Sequence, residues 1–345
     1  MDKAKFIGFG SIENLYRQKE VNEIHARGNT QDDVEWMVME KIHGANFSLA
    51  ITKDEVRFCS RNNMLDHEAN FNNLSTIRED LKVKGMKLFQ NISEIHSDLI
   101  QVTVFGELAG GEYPHANVPR VPGVSRVQKG VFYCPHVEFF GYDIVVVKNF
   151  EENNRINGFH VDALTTIEML DRVGFKTAPV MQVGTFRECK EHTDHFQSRV
   201  PGIFRLPEIE ENICEGIILK IVKQEPFSCR DILKSKNEKF TERKRTKKTV
   251  HIGSEDFSGQ LNEALSILEE YVNENRLNNL FSKIGKIEDR SQIGKYIGLL
   301  SKDALEDFKK DNENLATTLA KEEQKLVNKK AVSLCSKMLL SLDDI

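Results

Sequence analysis

The sequence has no long apolar run, no closely paired cysteines and no strong excess of one charge. Across its 345 residues no stretch approaches the roughly 18 consecutive apolar residues that span a bilayer. Its 48 Lys and Arg against 53 Asp and Glu give a net charge of −5, which excludes a uniformly basic nucleic-acid coat. The start of the chain shows neither a signal-peptide core nor an Arg-rich transit pattern, so we expect an intracellular protein with no membrane span.

The six cysteines are scattered and include no CxxC pair. Their spacings do not suggest a disulfide framework, so reduced thiols are expected. Cys189, His192 and His195 are close enough in sequence to suggest a zinc site. Because no second cluster supplies a remaining tetrahedral ligand and the neighbouring residues are charged, a solvated surface loop or helix end is the favoured interpretation.

The hydrophobic pattern first follows strands. From residue 34 to about 147, short β-branched and aromatic runs alternate with Gly, Asn and Asp, which predicts a twisted, mostly antiparallel sheet. Helix-like spacing over 71–100 and 161–173 adds flanking helices. The sequence therefore predicts an α+β fold for this part of the chain.

The pattern changes after a basic stretch. Residues 220–248 hold eleven Lys and Arg against four acidic residues. Beyond Gly253 three helix-like segments follow without a proline. We expect a boundary near residue 250, with one domain over 1–249 and a small all-α domain over 250–345.

Several charged residues fall where strands end beside glycine. Lys41 begins the motif KIHG between two strand-like runs, and Glu107 and Glu215 each lie next to a glycine. Three lysines follow on the basic stretch: Lys220, Lys234 and Lys236. A lone Lys-x-x-Gly match is weak, since roughly one is expected by chance in a chain of this size. Together, however, these groups match what an enzyme needs when its lysine attacks a nucleotide phosphate: an amine, carboxylates and phosphate-binding cations.

In order and spacing, the motifs resemble the nucleotidyltransferase series of the phage RNA ligase 2 and kinetoplastid RNA-editing ligase family. The motifs that carry the resemblance are KIHGANF (41–47), SR (60–61), FGE (105–107), EFFGYD (138–143), EGIILK (215–220) and LKSKN (233–237). The similarity starts at SIEN (11–14) and continues into NRLNN (275–279) and SKIG (282–285), so nearly the whole chain is covered.

The resemblance implies a role for each matching residue. Lys41 would be the nucleophile that becomes lysyl-AMP, and Glu215 would act on the catalytic metal. Phe139 resembles the ring that stacks on adenine, although its neighbour Phe140 points to the opposite face of the strand and one of the two must be core; Phe139 is the favoured candidate. Nucleotide-binding roles are implied for Glu40, Ile42, His43, Asn46, Arg61, Glu107, Phe139, Lys220, Lys234 and Lys236. The weaker alternatives are a structural imidazole for His43, a surface residue for Arg61 and a solvated charged face for the lysines.

The implied fold is an adenylation domain followed by the helical domain, in which Arg276 and Asp303 would engage RNA. The implied cofactors are ATP and Mg²⁺, with Mn²⁺ as a substitute. The implied activity is the joining of RNA 3′-hydroxyl and 5′-phosphate ends, at nicks in duplex RNA and by a monomer. The basic stretch Lys234–Lys248 has the charge to contact the phosphate backbone, and a solubilising linker is its alternative interpretation.

Two other functions remain as alternatives. The first is an mRNA-capping guanylyltransferase or a DNA ligase of the same superfamily. Those relatives typically continue into an all-β oligonucleotide-binding barrel, whereas residues 254–342 follow a helical pattern here. The second is a non-catalytic RNA-binding module. The presence of Lys41, Glu107 and Glu215 together argues against it, because a decayed site would be expected to lose at least one of them.

Overall fold

A computed structural model describes residues 3–152, 155–243 and 259–341. The chain separates into two compact units, Met1–Asn237 and Glu238–Ile345. The boundary expected at residue 249 lies outside the described residues, as does the portion of the basic stretch from residue 244 to 248.

The first unit contains two β-sheets. Its strands are β1 Glu13–Asn14, β2 Glu35–Glu40, β3 Ala45–Ile51, β4 Val56–Ser60, β5 Gln101–Gly110, β6 Val137–Phe150, β7 Ile156–His160, β8 Lys176–Thr177, β9 Val180–Thr185, β10 Gly216–Ile221, β11 Glu225–Pro226 and β12 Ile232–Lys236. One sheet, here sheet A, has the order β1-β12-β10-β2-β9. The other, sheet B, has the order β11-β7-β6-β5-β3-β4, with β8 paired to β6. Among the described residues only β1/β12 and β6/β8 pair in parallel, so the predicted antiparallel character is confirmed.

Helices cover one face of each sheet. They are α1 Gln18–Ala26, α2 Arg78–Ile95, α3 Ala163–Arg172, α4 Phe186–Lys190 and α5 Val200–Ile203. Helix α3 starts where the Asp162 side chain accepts hydrogen bonds from the backbone N–H groups of Leu164 and Thr165, as an N-cap should. It ends just before Gly174, which has a φ of +86° that suits glycine. The flanking helices predicted from the sequence are thus present as α2 and α3.

Strand alternation decides which side chains enter the cores. On β3, Phe47 and Leu49 point into the core that sheet B forms with α2 and α3. Trp36 and Leu219 enter a second core, which sheet A forms with α1 and α4. Residues of opposite phase, such as Asn46, are directed away from the helices and are available to build a site.

The second unit is all-α, as predicted. Its helices are α6 Gly259–Glu269, α7 Glu274–Ile284, α8 Ile293–Asp311, α9 Glu313–Thr318 and α10 Lys321–Leu340. Tyr271, Phe308 and Leu268 are buried in one cluster, and Leu280 and Leu300 in a neighbouring one. Among the described residues, no helix combines the length and apolar character that crossing a membrane requires.

Candidate active site

Lys41 lies in the short crossing that carries the chain from β2 of sheet A to β3 of sheet B. Its backbone N–H donates a hydrogen bond to the carbonyl of Gly216, which fixes the crossing against β10. A Cβ on Gly44 would lie 2.1 Å from the carbonyl oxygen of Leu108. The glycine of the KIHG motif is therefore required by the close approach of the crossing to β5.

Three basic side chains converge on the buried carboxylate of Glu215. Lys41 Nζ lies 2.7 Å from Oε2, Lys236 Nζ lies 3.2 Å from Oε1, and His43 Nδ1 lies 3.3 Å from Oε2. Burial favours the neutral acid, but Lys41, Lys236 and His43 outweigh it and hold the pKa of Glu215 well below its usual value. Glu215 is therefore ionised near neutral pH.

His43 is held at three of its atoms. Its backbone N–H donates to Tyr133 Oη at 2.8 Å, and its Nε2 lies 3.1 Å from the carbonyl oxygen of Lys129. The third contact is the one to Glu215. His43 thus connects the long loop between β5 and β6 to the carboxylate beside Lys41.

Asn46 and Glu107 are direct cross-strand partners on β3 and β5, so their side chains share one face of sheet B. Burial raises the pKa of Glu107 to about 7, against the opposing effects of Lys41 and Arg61. Arg61 follows directly after β4, and its guanidinium makes no hydrogen bond or ion pair with the residues that the structure describes. The face thus carries an amide, a carboxyl group and a nearby unpaired cation.

The partly exposed aromatic residue on this face is Tyr142, because Phe140, the cross-strand partner of Glu107, is 0% exposed. Phe139 lies on the opposite face. Phe139 is 0% exposed, and its ring packs edge-on against Phe47 and Phe175 with centroids 5.8 and 5.6 Å away. Asn46 Nδ2 donates to Tyr142 Oη at 2.7 Å, and Tyr142 is partly exposed. This corrects the expected stacking role of Phe139: its side chain lies on the core face of β6, so it cannot reach a base in this conformation. The alternation along EFFGYD was the available signal, because it puts Tyr142 on the face opposite Phe139.

The three lysines expected to bind phosphates divide into two environments. Lys234 and Lys236 are two residues apart on β12, so they share a face. Lys220 is 1% exposed and donates a hydrogen bond to the backbone carbonyl of Tyr142, with its Nζ 4.0 Å from Asp143 Oδ1. Burial lowers the pKa of Lys220 to about 8, and Asp143 opposes that change. Lys220 thus supports β6, which differs from the direct phosphate contact expected for it.

Glu40 and Ile42 flank Lys41 with buried side chains. Glu40 accepts hydrogen bonds from Ser198 Oγ at 2.6 Å and from the backbone N–H of Arg199 at 2.8 Å. Burial raises the pKa of Glu40 to about 7. Since both side chains are engaged inside the fold, a nucleotide contact from either residue has to come from its backbone.

Arg276 and Asp303 come together in the helical unit. The buried guanidinium of Arg276 forms ion pairs with Asp303, with Asp307 at 2.9 Å and with Glu242 at 3.5 Å. Arg276 also donates to the backbone carbonyl of Tyr271 at 2.8 Å. In this arrangement Arg276 ties α7 to α8, and its expected contact with RNA stays a prediction.

The three possible zinc ligands are not assembled. Cys189 is buried in the core of sheet A, where its Sγ lies 3.4 Å from the backbone carbonyl oxygen of Trp36. His195 Nδ1 lies 2.9 Å from Asn237 Nδ2, and His192 Nδ1 lies 2.8 Å from the carbonyl oxygen of Thr193. Within the described ranges, the groups of three residues that could hold a metal ion do not include these residues. The expected surface position fits His195, which is exposed, and His192, which is partly exposed, but Cys189 belongs to the core.

Comparison with known proteins identifies the family. A family model described as RNA ligase matches residues 34–236, which is more than half of the chain. The chain belongs to the RNA ligase family. A second model, described as T4 RNA ligase 2 C-terminal, matches residues 254–337 of this RNA ligase. The resemblance inferred from the ordered motifs is therefore confirmed, and an enzyme of this family acts on RNA that has ends to join.

The ligase is also similar to individual proteins. It is 25% identical to the mitochondrial RNA-editing ligase 1 of Trypanosoma brucei brucei over 92% of this chain and 79% of that protein. It is also 25% identical to the mitochondrial RNA-editing ligase 2 of the same organism, over 90% of this chain and 85% of that protein. A structure of Naegleria gruberi RNA ligase superposes with a TM-score of 0.44 and 14% identity, over 69% of this chain and 58% of that one.

Proposed function

We propose that this chain is an ATP-dependent RNA ligase that forms lysyl-AMP on Lys41 and then joins RNA 3′-hydroxyl and 5′-phosphate ends. The observation that carries the proposal is the convergence of Lys41, His43 and Lys236 on the ionised Glu215. An amine nucleophile, a carboxylate and a phosphate-binding cation are thereby held within one ion-pair network.

The reaction consists of three nucleotidyl transfers. In the first, the neutral amine of Lys41 attacks the α-phosphorus of ATP, a P–N bond forms and pyrophosphate leaves. In the second, an oxygen of the RNA 5′-phosphate attacks that phosphorus, and the P–N bond breaks to return the amine. In the third, the RNA 3′-hydroxyl attacks the activated 5′-phosphate and AMP leaves. Positioning and charge neutralisation supply most of the rate in such displacements.

We assign the remaining contacts by the face on which each side chain lies. Glu107 accepts hydrogen bonds from the ribose hydroxyls, Tyr142 stacks on adenine, and Arg61 meets a phosphate of the adenylate or of the RNA end. Lys234 and Lys236, on one face of β12, neutralise the triphosphate. Tyr142 takes the stacking role first expected of Phe139 because it is the partly exposed ring beside Asn46.

The donor set fits a divalent metal. Mg²⁺ is usually held by one or two carboxylates together with substrate phosphates, and Glu215 is an ionised carboxylate between two of the proposed phosphate-facing groups. Mn²⁺ accepts the same oxygen ligands. A bound ion would supply charge neutralisation at the phosphates. To bind it, an oxygen of Glu215 would give up its contact with a lysine.

We also assign adenylylation to residues 1–249 and RNA engagement to residues 250–345. The substrate we propose is a nick in duplex RNA, bound by a monomer. An A-form duplex offers its phosphates and 2′-hydroxyls to a basic surface. The net positive charge of segment 220–248 supports a binding step that weakens with salt.

Nucleotide trapping and nick sealing test the proposal. The protein is incubated with labelled ATP or GTP and Mg²⁺, and the modified peptide is identified by mass spectrometry. AMP on Lys41 supports the proposal, whereas GMP on that lysine would indicate a capping enzyme and no adduct would indicate a binding module. Sealing of nicked duplexes with RNA or DNA on each side of the break then separates RNA ligation from DNA ligation.

A further inference from the structure

Behind Tyr142 lies a buried charged network that the proposed reaction does not use. Its centre is Asp143, the residue after Tyr142 on β6, which is fully buried. Arg230 Nε and Nη2 donate to the two carboxylate oxygens of Asp143 at 3.2 and 3.1 Å. His160 Nδ1 lies 3.3 Å and Lys220 Nζ 4.0 Å from the same carboxylate. One carboxylate thus brings together basic side chains from three other parts of the unit.

Asp143 is ionised in this setting. Burial favours its neutral form, but Arg230, Lys220 and His160 lower its pKa well below the usual value for aspartic acid. The pairing with Arg230 is bidentate, which fixes the orientation of both planar groups. Because Asp143 and Tyr142 are adjacent on one strand, the orientation of this carboxylate constrains the backbone that aims the Tyr142 ring.

Arg230 reaches Asp143 from an anchored segment. Its side chain is 7% exposed, and it lies between β11 and β12. The next residue, Asp231, accepts hydrogen bonds from Arg27 at 2.7 Å and Asn29 at 2.6 Å. These contacts do not involve Arg230, so they hold the segment independently of it.

We propose that Arg230 is a positioning residue for the nucleotide: its two hydrogen bonds to Asp143 hold β6 so that Tyr142 faces the adenine base. The proposal rests on the function proposed above, because it needs ATP as the substrate. Lys220 supports the same stretch of β6 by its hydrogen bond to the Tyr142 carbonyl. Arg230 acts through Asp143 and touches neither the base nor the phosphates.

The test measures lysyl-AMP formation by the full chain as a function of ATP concentration. Loss of base stacking weakens ground-state binding, so Arg230→Met should raise KM for ATP, the concentration that gives half the maximal rate, about tenfold, while the maximal rate constant of adduct formation changes less than about threefold. Arg230→Lys keeps the charge but loses the bidentate geometry, and it should raise KM by about threefold. An unchanged KM in either variant would overturn the proposal.

Arg27→Met is the matched control. Arg27 also pairs with a buried aspartate, Asp231, but its side chain is 42% exposed and it does not contact Asp143. Its KM for ATP should stay within about twofold of the parent value, because Asn29 still holds Asp231 and Arg230 keeps both hydrogen bonds to Asp143. If KM rose as much in Arg27→Met as in Arg230→Met, the effect would reflect a general destabilisation of the fold, and the proposal would be overturned.

Two further measurements separate positioning of the base from other defects. Inorganic tripolyphosphate carries the phosphates without a base, so its inhibition constant against ATP should stay within about twofold in Arg230→Met. A parallel rise would locate the defect at the phosphates and overturn the proposal.

If Arg230 acts through Asp143, the double variant Asp143→Asn/Arg230→Met should have a KM no higher than that of Arg230→Met, and additive effects would contradict this route.

Folding is monitored with the single tryptophan, Trp36, which is buried in the core of sheet A. If Arg230→Met does not show the Trp36 emission of the parent protein, that variant is misfolded. The KM for ATP of Arg230→Lys then decides whether Arg230 positions the nucleotide. Failure of the parent protein to form lysyl-AMP would refute the proposed function itself. If the parent protein forms lysyl-AMP but the Arg230 variants have an unchanged KM for ATP, the positioning role of Arg230 is refuted and the proposed function stands.

Discussion

Lys41 Nζ and Glu215 Oε2 lie 2.7 Å apart, although the two residues are 174 positions apart in the chain. This ion pair joins the crossing after β2 to the start of β10. It holds the proposed nucleophile by its charge, and Lys236 and His43 share the same carboxylate. The amine must leave this ion pair and lose a proton before it can attack phosphorus.

Replacement of Lys41 by alanine should abolish the AMP adduct, because Lys236, the other amine in the network, contacts the opposite oxygen of Glu215 and is assigned to the triphosphate. The fold should be retained, since the ion pair lies outside the cores of both sheets. Mass spectrometry after incubation with ATP and Mg²⁺ measures the adduct. Lys82→Ala, which removes a partly exposed lysine on α2, is the control and should be labelled like the parent. An adduct of normal yield in Lys41→Ala would contradict the assignment.

Glu215→Gln should reduce both adenylylation and stability. Removing the carboxylate leaves three basic groups close together and partly buried, which costs about 3 kcal/mol of unfolding free energy near pH 7. Because folding lowers the pKa of Glu215, its ionised carboxylate stabilises the fold at pH values above the pKa that it has in the unfolded chain. That contribution is lost as the pH falls through the pKa that Glu215 has in the folded protein. The stability gap between parent and variant should therefore narrow in acid.

Urea unfolding followed by Trp36 fluorescence measures this gap at pH 7 and in steps down to about pH 2. Glu225→Gln is a second buried carboxyl variant outside the Lys41 network. A gap that widens in acid for Glu215→Gln would show that its charge does not stabilise the fold.

The affinity for ATP should depend on the ionisation of Glu107. Burial raises the pKa of this carboxyl to about 7, so it is largely neutral below that pH and ionised above it. Only the ionised form accepts hydrogen bonds at both oxygens, so KM for ATP should fall as pH rises through 7. Glu107→Gln should remove this dependence.

Glu40 complicates this experiment and also provides its control. Burial raises the pKa of Glu40 to about 7 as well, but its oxygens are bound to Ser198 and Arg199. Glu40→Gln should therefore keep the pH dependence of KM. If Glu40→Gln removed it and Glu107→Gln retained it, the two roles would have to be exchanged.

The two aromatic residues on β6 should respond differently to truncation. Phe139→Ala leaves a cavity in the core and should cost about 3–5 kcal/mol of unfolding free energy. Tyr142→Ala removes a stacking partner and should raise KM for ATP at least about tenfold with a smaller loss of stability. Chemical unfolding and adenylylation kinetics measure the two effects. The reverse pattern would restore Phe139 as the stacking ring.

The larger features of the chain follow from local sequence. Strand-like runs, glycine at strand ends and helix-like segments without proline predicted the α+β fold and the helical second unit. The ordered motifs around Lys41, Glu107 and Glu215 predicted the family. These features depend on residue type and spacing along the chain, so they could be predicted before any partner strand was known.

The sequence alone determined the family, the fold class and the ordered set of motifs that carry the proposed chemistry. The tertiary structure alone decided that Tyr142 rather than Phe139 faces the site, that Lys220 supports a strand, and that Arg276 is enclosed by carboxylates. The physical reason is that the environment of a side chain depends on cross-strand register and helix packing. Those contacts bring together residues far apart in sequence, as Arg230 and Asp143 demonstrate.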